Sequence, residues 1–509
     1  MKEILKMTDG TDIPRKRKRL GWPTKLVIAV VAVCLLLVGA WWYGNSRWNR
    51  KIQVLLDQYR AAGQPVDPED FDPPATIDDD NAALALKEAA AAVTLTTDQD
   101  DLVGYVDPVL IADNLDEFRR IAEANAPVFE LVRRARSMKG ADWGVRMRSP
   151  AINVLLPSLS EQQALGRLLC STAIYHHKTG GETEAIETLR DALAIGKTMR
   201  KMPTLVPDLV ALAIESLVYI AVEDIAADLN ASGPSGAGVR VKTKSLIGEL
   251  LDEKRIREDG KWVYYGERAW LFDTAKLWMR GKLSLTSFNG EPSAKEKTLI
   301  VLFKPLHKRD LFEMLQEFTA TAEAAGQPSW PEARGMIPPE PQYGSVWDDV
   351  SKTIRRLIMP SMKRVLLLRF RPIAMRRMAA TALAIRLYET DHGRRPAKLA
   401  ELVPQYLPAV PKDPFAADDR AIGYLPNAPR PLLYSIGYNE IDQGGKYADD
   451  PENPPNLEDF DIPFFLNADR PRCRDEEEYQ KDAPPAGESA PMQPNLPSQT
   501  KPHEVKPGA

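Results

Sequence analysis

The chain has 509 residues, of which 44% are apolar and 27% charged, and a formal net charge of −4. That composition excludes collagen-like, wholly disordered and disulfide-scaffold classes, and a near-neutral chain gives no reason to expect nucleic acid as a partner. The three cysteines, Cys34, Cys170 and Cys473, are too scattered for a zinc motif or a disulfide framework.

Residues 1–25 form a basic segment with Arg15, Lys16, Arg17, Lys18 and Arg19 in a row. Residues 26–43 follow without a charge, close to the ~20 residues that cross a ~30 Å hydrocarbon core as a helix. Trp41, Trp42 and Tyr43 at the far end suit a membrane–water interface, and the basic run predicts a cytoplasmic N-terminus. The expectation is a signal-anchor: one transmembrane helix in the inner (cytoplasmic) membrane, embedded in the lipid bilayer through residues 26–43, with the bulk of the chain periplasmic or extracytoplasmic. Val38-Gly39-Ala40 also fits a cleavage site, so a removed leader is the alternative; the bulky Trp41-Trp42 pair argues for an uncleaved anchor.

Residues 44–230 read as an exported α-helical region. A short helix over 52–60 stops at Gly63 and Pro65. An acidic connector over 67–80 leads into an alanine-rich helix over 81–93 that Asp79 or Asp80 is placed to cap. Helical periodicity continues over 115–137 and 158–177. The spacing of Leu169, Ala173, Gly180, Ala185, Leu189 and Ala192 resembles one tetratricopeptide-type hairpin, but Pro207 falls where the next repeat needs a small residue. An ordinary antiparallel helix pair is the favoured reading. An apolar helix over 207–229 ends the region, and ASGPSGAG over 231–238 reads as a flexible break.

A second helical region covers 231–335. Its aromatic residues Trp262, Tyr264, Tyr265, Trp270, Phe272 and Trp278 fit either a core or a ligand platform. Proline-rich sequence over 326–344 marks a boundary, with 336–345 as the linker. The helix over 346–378 carries Arg355, Arg356, Lys363, Arg364, Arg369, Arg371, Arg376 and Arg377 among apolar residues. Three roles suit it: lying on an anionic membrane surface, a solvated face, or salt bridges to the acidic helices upstream.

Residues 346–466 are expected to be a long helix followed by a small α+β module, and 467–509 a disordered tail. The helical stripe Ala379, Leu383, Ile385, Leu387, Tyr388 stops at Asp391-His392-Gly393. Pro396, Pro404, Pro408, Pro411 and Pro414 then punctuate a loop, and runs over 422–425 and 431–436 predict a hairpin.

In order and spacing, Tyr388, Asp391, Gly393 and Pro396, then Val410-Pro411, Asp413-Pro414, Tyr424, Ser435, Gly437, Asp442, Gly444 and Gly445 resemble the globular half of type II secretion major pseudopilins. Asp459-Phe460-Asp461-Ile462 is similar to that family's later Asp-x-Asp-Ile. The resemblance implies a helix-plus-hairpin module and a calcium cofactor in the C-terminal acidic loop, with Asp442, Asp459 and Asp461 as ligands and Asp449 and Asp450 as spares; a solvated acidic loop is the alternative. The chain departs from the family in having its membrane helix far upstream, and Gly21-Trp22-Pro23-Thr24-Lys25 carries neither a processing site nor the assembly glutamate, so fibre formation is not implied. The whole layout also resembles membrane-anchored envelope proteins of planctomycete-type bacteria, which implies a location and no activity.

Gly-x-Ser-x-Gly, His-Glu-x-x-His and phosphate-loop motifs are absent from the sequence. His176-His177 reads as a helix-end cation. The expected class is therefore mainly α, and the expected role is a membrane-anchored interaction or scaffold protein contacting other envelope proteins, with no catalytic residue assigned. The alternative is an envelope hydrolase using carboxylates of the helical region.

Overall fold

In the computed structural model the described residues are 22–468, apart from 75, 286–289, 340–344, 346–350, 359–361 and 448–459. The basic run at 15–19, residues 340–344 of the 336–345 linker, Asp449, Asp450, Asp459, Cys473 and the tail expected to be disordered, beyond residue 468, lie outside them.

The apolar stretch at 26–43 is part of one helix, α1 (Trp22–Ala61), which also absorbs the separate helix expected over 52–60. No proline interrupts residues 44–51, so the hydrogen-bond ladder has no reason to stop. The first half of α1 is exposed along its length, whereas Ile52, Leu55, Leu56 and Tyr59 are buried in the body.

Next come α2 (Ala82–Ala91), α3 (Thr97–Gly104), α4 (Pro108–Asp113), α5 (Leu115–Ala124) and α6 (Ala126–Ser137). Asn81, not Asp79 or Asp80, caps α2, its side chain accepting from Ala83 N at 3.2 Å. The single helix expected over 115–137 is broken at Asn125, which is fully buried and ties Thr94 to the chain through its amide, accepting from Thr94 N and donating to Thr94 O. That side-chain bonding offers the backbone an alternative to a continuous helix.

The centre of the bundle is α7 (Leu159–Lys178), α8 (Glu182–Met199) and α9 (Leu205–Asp228), each packed on the other two. Ala173, Ala185 and Ala192 are fully buried where α7 and α8 approach as an antiparallel pair. Helix α9 is long and apolar enough to cross a membrane by composition, but most of it is enclosed by protein.

Then follow α10 (Gly233–Leu251), α11 (Glu253–Met279), α12 (Ala294–Leu302), α13 (Lys304–Ala325) and α14 (Trp330–Met336). The break expected over 231–238 is instead the start of α10. Of the aromatic residues on α11, Tyr264, Tyr265, Phe272 and Trp278 are buried and Trp262 and Trp270 pack half-buried against them, so the group is core.

The last helices are α15 (Thr353–Ile358) and α16 (Met362–His392). Helix α16 runs through Pro372 and stops before Gly393, whose φ of +66° suits a helix-ending glycine. The expected hairpin forms from β1 (Gly423–Leu425) and β2 (Leu432–Ser435), with Tyr424 opposite Leu433. A strand not expected, β3 (Ile462–Phe465), pairs antiparallel with β2 on its other side and places Pro463 opposite Tyr434. Proline is tolerated there because β3 is an edge strand.

The described architecture is thus mainly α with a small antiparallel sheet. Nearly all of its buried apolar residues form a single cluster from Ile52 to Leu466, continuous across the boundary drawn in the sequence at 336–345. Trp330 explains that continuity: it is buried edge-on against Phe370 of α16, and its backbone N–H donates to Pro414 O at 2.7 Å.

Candidate functional site

Helix α9 carries Asp208, Glu215, Glu223 and Asp224, all buried, on an otherwise apolar sequence. A carboxylate removed from water must find a charged or multiply donating partner. Asp208 and Glu215 stand about two turns apart, and so do Arg369 and Arg376 on α16, which packs alongside.

Arg200, 1% exposed just after α8, donates to Glu215 through both terminal nitrogens at 2.6 and 3.0 Å and to Asp208 through Nε at 3.1 Å. Arg369 completes Asp208 from the opposite side and also reaches Ile256 O at 3.3 Å. Arg376 lies 4.0 Å from Glu215 and donates to the end of α10, at Leu250 O and, at 2.7 Å, at Glu249 O. Tyr219 donates to Glu215 at 3.3 Å. A Cβ on Gly260 would sit 2.5 Å from a guanidinium nitrogen of Arg369, so any larger residue there would have to displace that guanidinium. Burial acts against the Glu215 charge, but Arg200 and then Arg376 outweigh it and hold the carboxyl below its usual range, while burial raises Tyr219 well above its own.

Beside this cluster is a cavity of about 10 Å³ lined by Leu212, Glu215, Ile256, Arg369, Phe370 and Arg376, room for about one water. The one carboxylate lining it, Glu215, is already engaged by the Arg200 guanidinium. A second, open groove of about 340 Å³ is lined by Asp98, Asp101, Leu102, Tyr105 and Leu110 on α3 and α4.

Two further ionic groups join elements of the helical body. Arg133 and Arg136 of α6 clasp Asp191 of α8, and Arg190 joins Glu187 to Glu249 of α10. Burial outweighs Arg136 and Arg133 at Asp191 and pushes its carboxyl up to about 6; at Glu187, burial is overcome by Arg136 and Arg190 and the carboxyl falls to about 2. His177 is buried between Glu182 at 2.8 Å and Asp228 at 2.7 Å, and Glu182 also accepts Asn230 N at 2.9 Å. The ring thereby joins the end of α7, the start of α8 and the end of α9, a more enclosed setting than a helix-end cation. Burial opposes its charge, yet Glu182 and Asp228 prevail and raise its pKa above the ordinary 6.5.

The C-terminal residues picked out in the sequence do meet, mostly as hydrogen-bond partners of the module itself. Tyr388 donates to Glu401 at 2.6 Å, Tyr406 to Asp391 at 2.6 Å and Tyr424 to Pro396 O at 2.9 Å. Asp413 is buried and accepts from Ser435 Oγ at 2.6 Å and Ile436 N at 2.8 Å, fixing the end of β2.

Of the calcium candidates, Asp442 and Asp461 come to the same loop, and Asp459 lies outside the described residues. Asp442 accepts Gly444 N at 2.8 Å and pairs with Arg420; that amide bond, against the effect of burial and with help from Arg420, holds its carboxyl below the usual range. Asp461 accepts Gly445 N at 2.7 Å and Gln443 N at 3.4 Å, and burial raises its pKa. A guanidinium on Asp442 and amides on Asp461 do not fit a calcium cage as they stand: cation binding there requires Arg420 to withdraw. Among the described residues no group of three or more histidine, cysteine or acidic side chains is gathered for a metal.

The residues that sequence reasoning missed are Arg200, Asp208 and Glu215. The available signal was the pairing of two acids two turns apart on an apolar helix with two arginines at the same spacing on another. Comparison of the chain with family models, curated proteins and solved structures gives no match.

Three outcomes follow from these geometries. Arg369→Met leaves Asp208 short of a partner in the core and is expected to lower the unfolding free energy by about 3–5 kcal/mol, with most of the loss recovered when Asp208→Leu is added, measured by denaturant titration of both variants. Because the folded-state pKa of His177 is raised, its ionic contribution is complete below ~6.5 and disappears as pH rises through the folded value. A melting curve series should show that decline in the native chain and not in His177→Gln. Asp461→Ala should cost about 1–3 kcal/mol in calcium-free buffer, since two loop amides lose their acceptor; a loss seen only with calcium present would instead assign Asp461 to a metal.

Proposed function

We propose that the chain is a membrane-anchored, extracytoplasmic interaction or scaffold protein of the cell envelope, with its N-terminus cytoplasmic. The observation that carries this reading is the division of α1. Its exposed half is uncharged from Leu26 to Ser46, a rise of about 30 Å as a helix. Its second half is built into the body against α13, with Trp48 on Phe312 at 5.6 Å and Tyr59 donating to Leu315 O at 3.2 Å. A span continuous with a rigid body fixes that body at a set height above a bilayer, which suits presentation of a surface.

The arginine-paired buried carboxylates support the same reading. A general acid or base needs a carboxyl within reach of substrate, whereas Asp208, Glu215 and Asp191 are held by arginines inside the bundle. Exposed apolar residues outside the span, such as Leu155 at 85% and Ile441 at 60%, offer contact points for other envelope proteins. The pseudopilin-like module, in this reading, is part of the presented surface.

The test is position-specific photo-cross-linking of the full chain in its native membrane from Ile441 and Leu155, with alkaline extraction of the same membranes. Discrete adducts that depend on the position of the probe, from a chain that resists extraction, are expected. Extraction of the chain into the soluble fraction, or adducts indistinguishable from those of a probe in the buried core, would contradict the proposal. Release of soluble fragments from purified envelope polymer by the full chain would favour hydrolysis instead.

A further inference from the structure

The corner between α12 and α13 has an unusual composition for a solvent-facing turn. Helix α12 ends in Thr298-Leu299-Ile300-Val301-Leu302, and Leu299, Val301 and Leu302 are 44%, 59% and 57% exposed. Only Ile300 of this run turns inward. The backbone at the end of this run lies beside α1. The indole of Trp41 donates to Val301 O and to Leu302 O, each at 3.1 Å. Pro305 packs over Gly44, where a Cβ would come within 3.3 Å, and Lys308 donates to Asn45 at 2.6 Å. From there α13 ascends along α1 through Phe312 to Leu315. The tip of the α12–α13 hairpin is therefore level with Trp41, at the end of the uncharged stretch, where Trp42 and Tyr43 are also exposed.

We propose that this corner is a second membrane contact: Leu299, Val301 and Leu302 enter the interfacial layer of the same bilayer that α1 spans. The inference rests on the reading of α1 as a spanning helix. Its independent support is the treatment of the backbone. The last carbonyls of a helix lack intrahelical donors, and at membrane depth no bulk water replaces them. Here Trp41 serves Val301 and Leu302, while Phe303 N returns to Leu299 O at 3.0 Å and His307 N to Phe303 O at 3.1 Å. The turn presents apolar side chains outward with the carbonyls of Leu299, Val301, Leu302 and Phe303 already satisfied. Lys304, the next residue, has a stem long enough to carry its ammonium back to the headgroups. Two points of attachment, the span and the corner, fix the tilt of the body as well as its height.

The test uses the full chain in nanodiscs of phosphatidylethanolamine and phosphatidylglycerol, with Cys473→Ser and an environment-sensitive fluorophore on one thiol at a time. Cys170 is fully buried and leaves the reaction to the introduced position. The label sits at native Cys34 to report the span, at Val301→Cys or Leu302→Cys in a Cys34→Ser background to report the corner, and at Asp116→Cys as the aqueous reference. The proposal expects the 301 and 302 labels to be quenched by nitroxide lipids with the spin label near the headgroup and shielded from aqueous iodide, as the 116 label is not. Iodide-accessible, lipid-insensitive labels at both 301 and 302, alongside lipid quenching at Cys34, overturn the corner contact and leave the span standing. Iodide access at Cys34 overturns both.

Discussion

The structure depends on one constraint: α9 is enclosed by other helices and carries carboxylates that cannot reach water. An apolar helix in that position needs no partner charges, but Asp208 and Glu215 do, and their partners come from outside the helix, one from the neighbouring α8 and two from the distant α16. Arg200 reaches back from the end of α8, and Arg369 and Arg376 reach across from α16. Each guanidinium also serves a backbone carbonyl or a second carboxylate, so the cluster specifies how α8, α9, α10, α11 and α16 are placed. Replacing such a cluster by apolar residues often leaves stability unchanged, whereas removing one member is costly; its main effect here is on which packing is possible.

That constraint changes the status of the C-terminal module. Helix α16 is both the module's long helix and the wall against which α9 is neutralised. Farther along it, Arg377 donates to both oxygens of Glu253 at 2.6 Å and to Lys412 O at 2.8 Å, bridging α11 and the proline-rich loop. Phe465 N donates to Glu223 of α9 at 2.5 Å, so even the edge strand is bonded to the central helix. Arg355 on α15 repeats the pattern with Asp310 at 2.7 Å and Glu313 at 2.6 Å. In the arginine-rich segment that suits a membrane surface in the sequence, Arg355, Arg369, Arg376 and Arg377 turn to acidic residues of upstream helices, one of the three roles open to it, while Arg356, Lys363 and Arg364 are exposed.

Local signals in the sequence were strong where the reason for an element was local. The uncharged run at 26–43, the alanine-rich α2, the stop at Gly393 and the β1–β2 hairpin each follow from propensity, patterning or turn chemistry within a few residues. The elements that were not legible depend on distant partners. Asn125 breaks a helix because Thr94 lies beside it, and β3 forms around Pro463 because β2 supplies a free edge. The ion cluster was hardest, since a buried arginine and a solvated one have the same sequence pattern until the facing helix is known. The C-terminal motif residues were readable because their bonds, such as Asp413 to Ser435 and Tyr388 to Glu401, close within the module.

The central claim is that the buried guanidinium–carboxylate cluster makes the helical body and the C-terminal module one cooperative unit. Native-state hydrogen exchange on the full chain tests it most directly, by comparing amides of Leu433 and Phe464 in the sheet with those of Leu212 and Val218 in α9. Cooperative units exchange through a common opening, so the account predicts the same opening free energy for both sets and the same decrease in both for Arg369→Met. Sheet amides that open at a clearly lower free energy than α9, and stay unchanged in that variant, would contradict it.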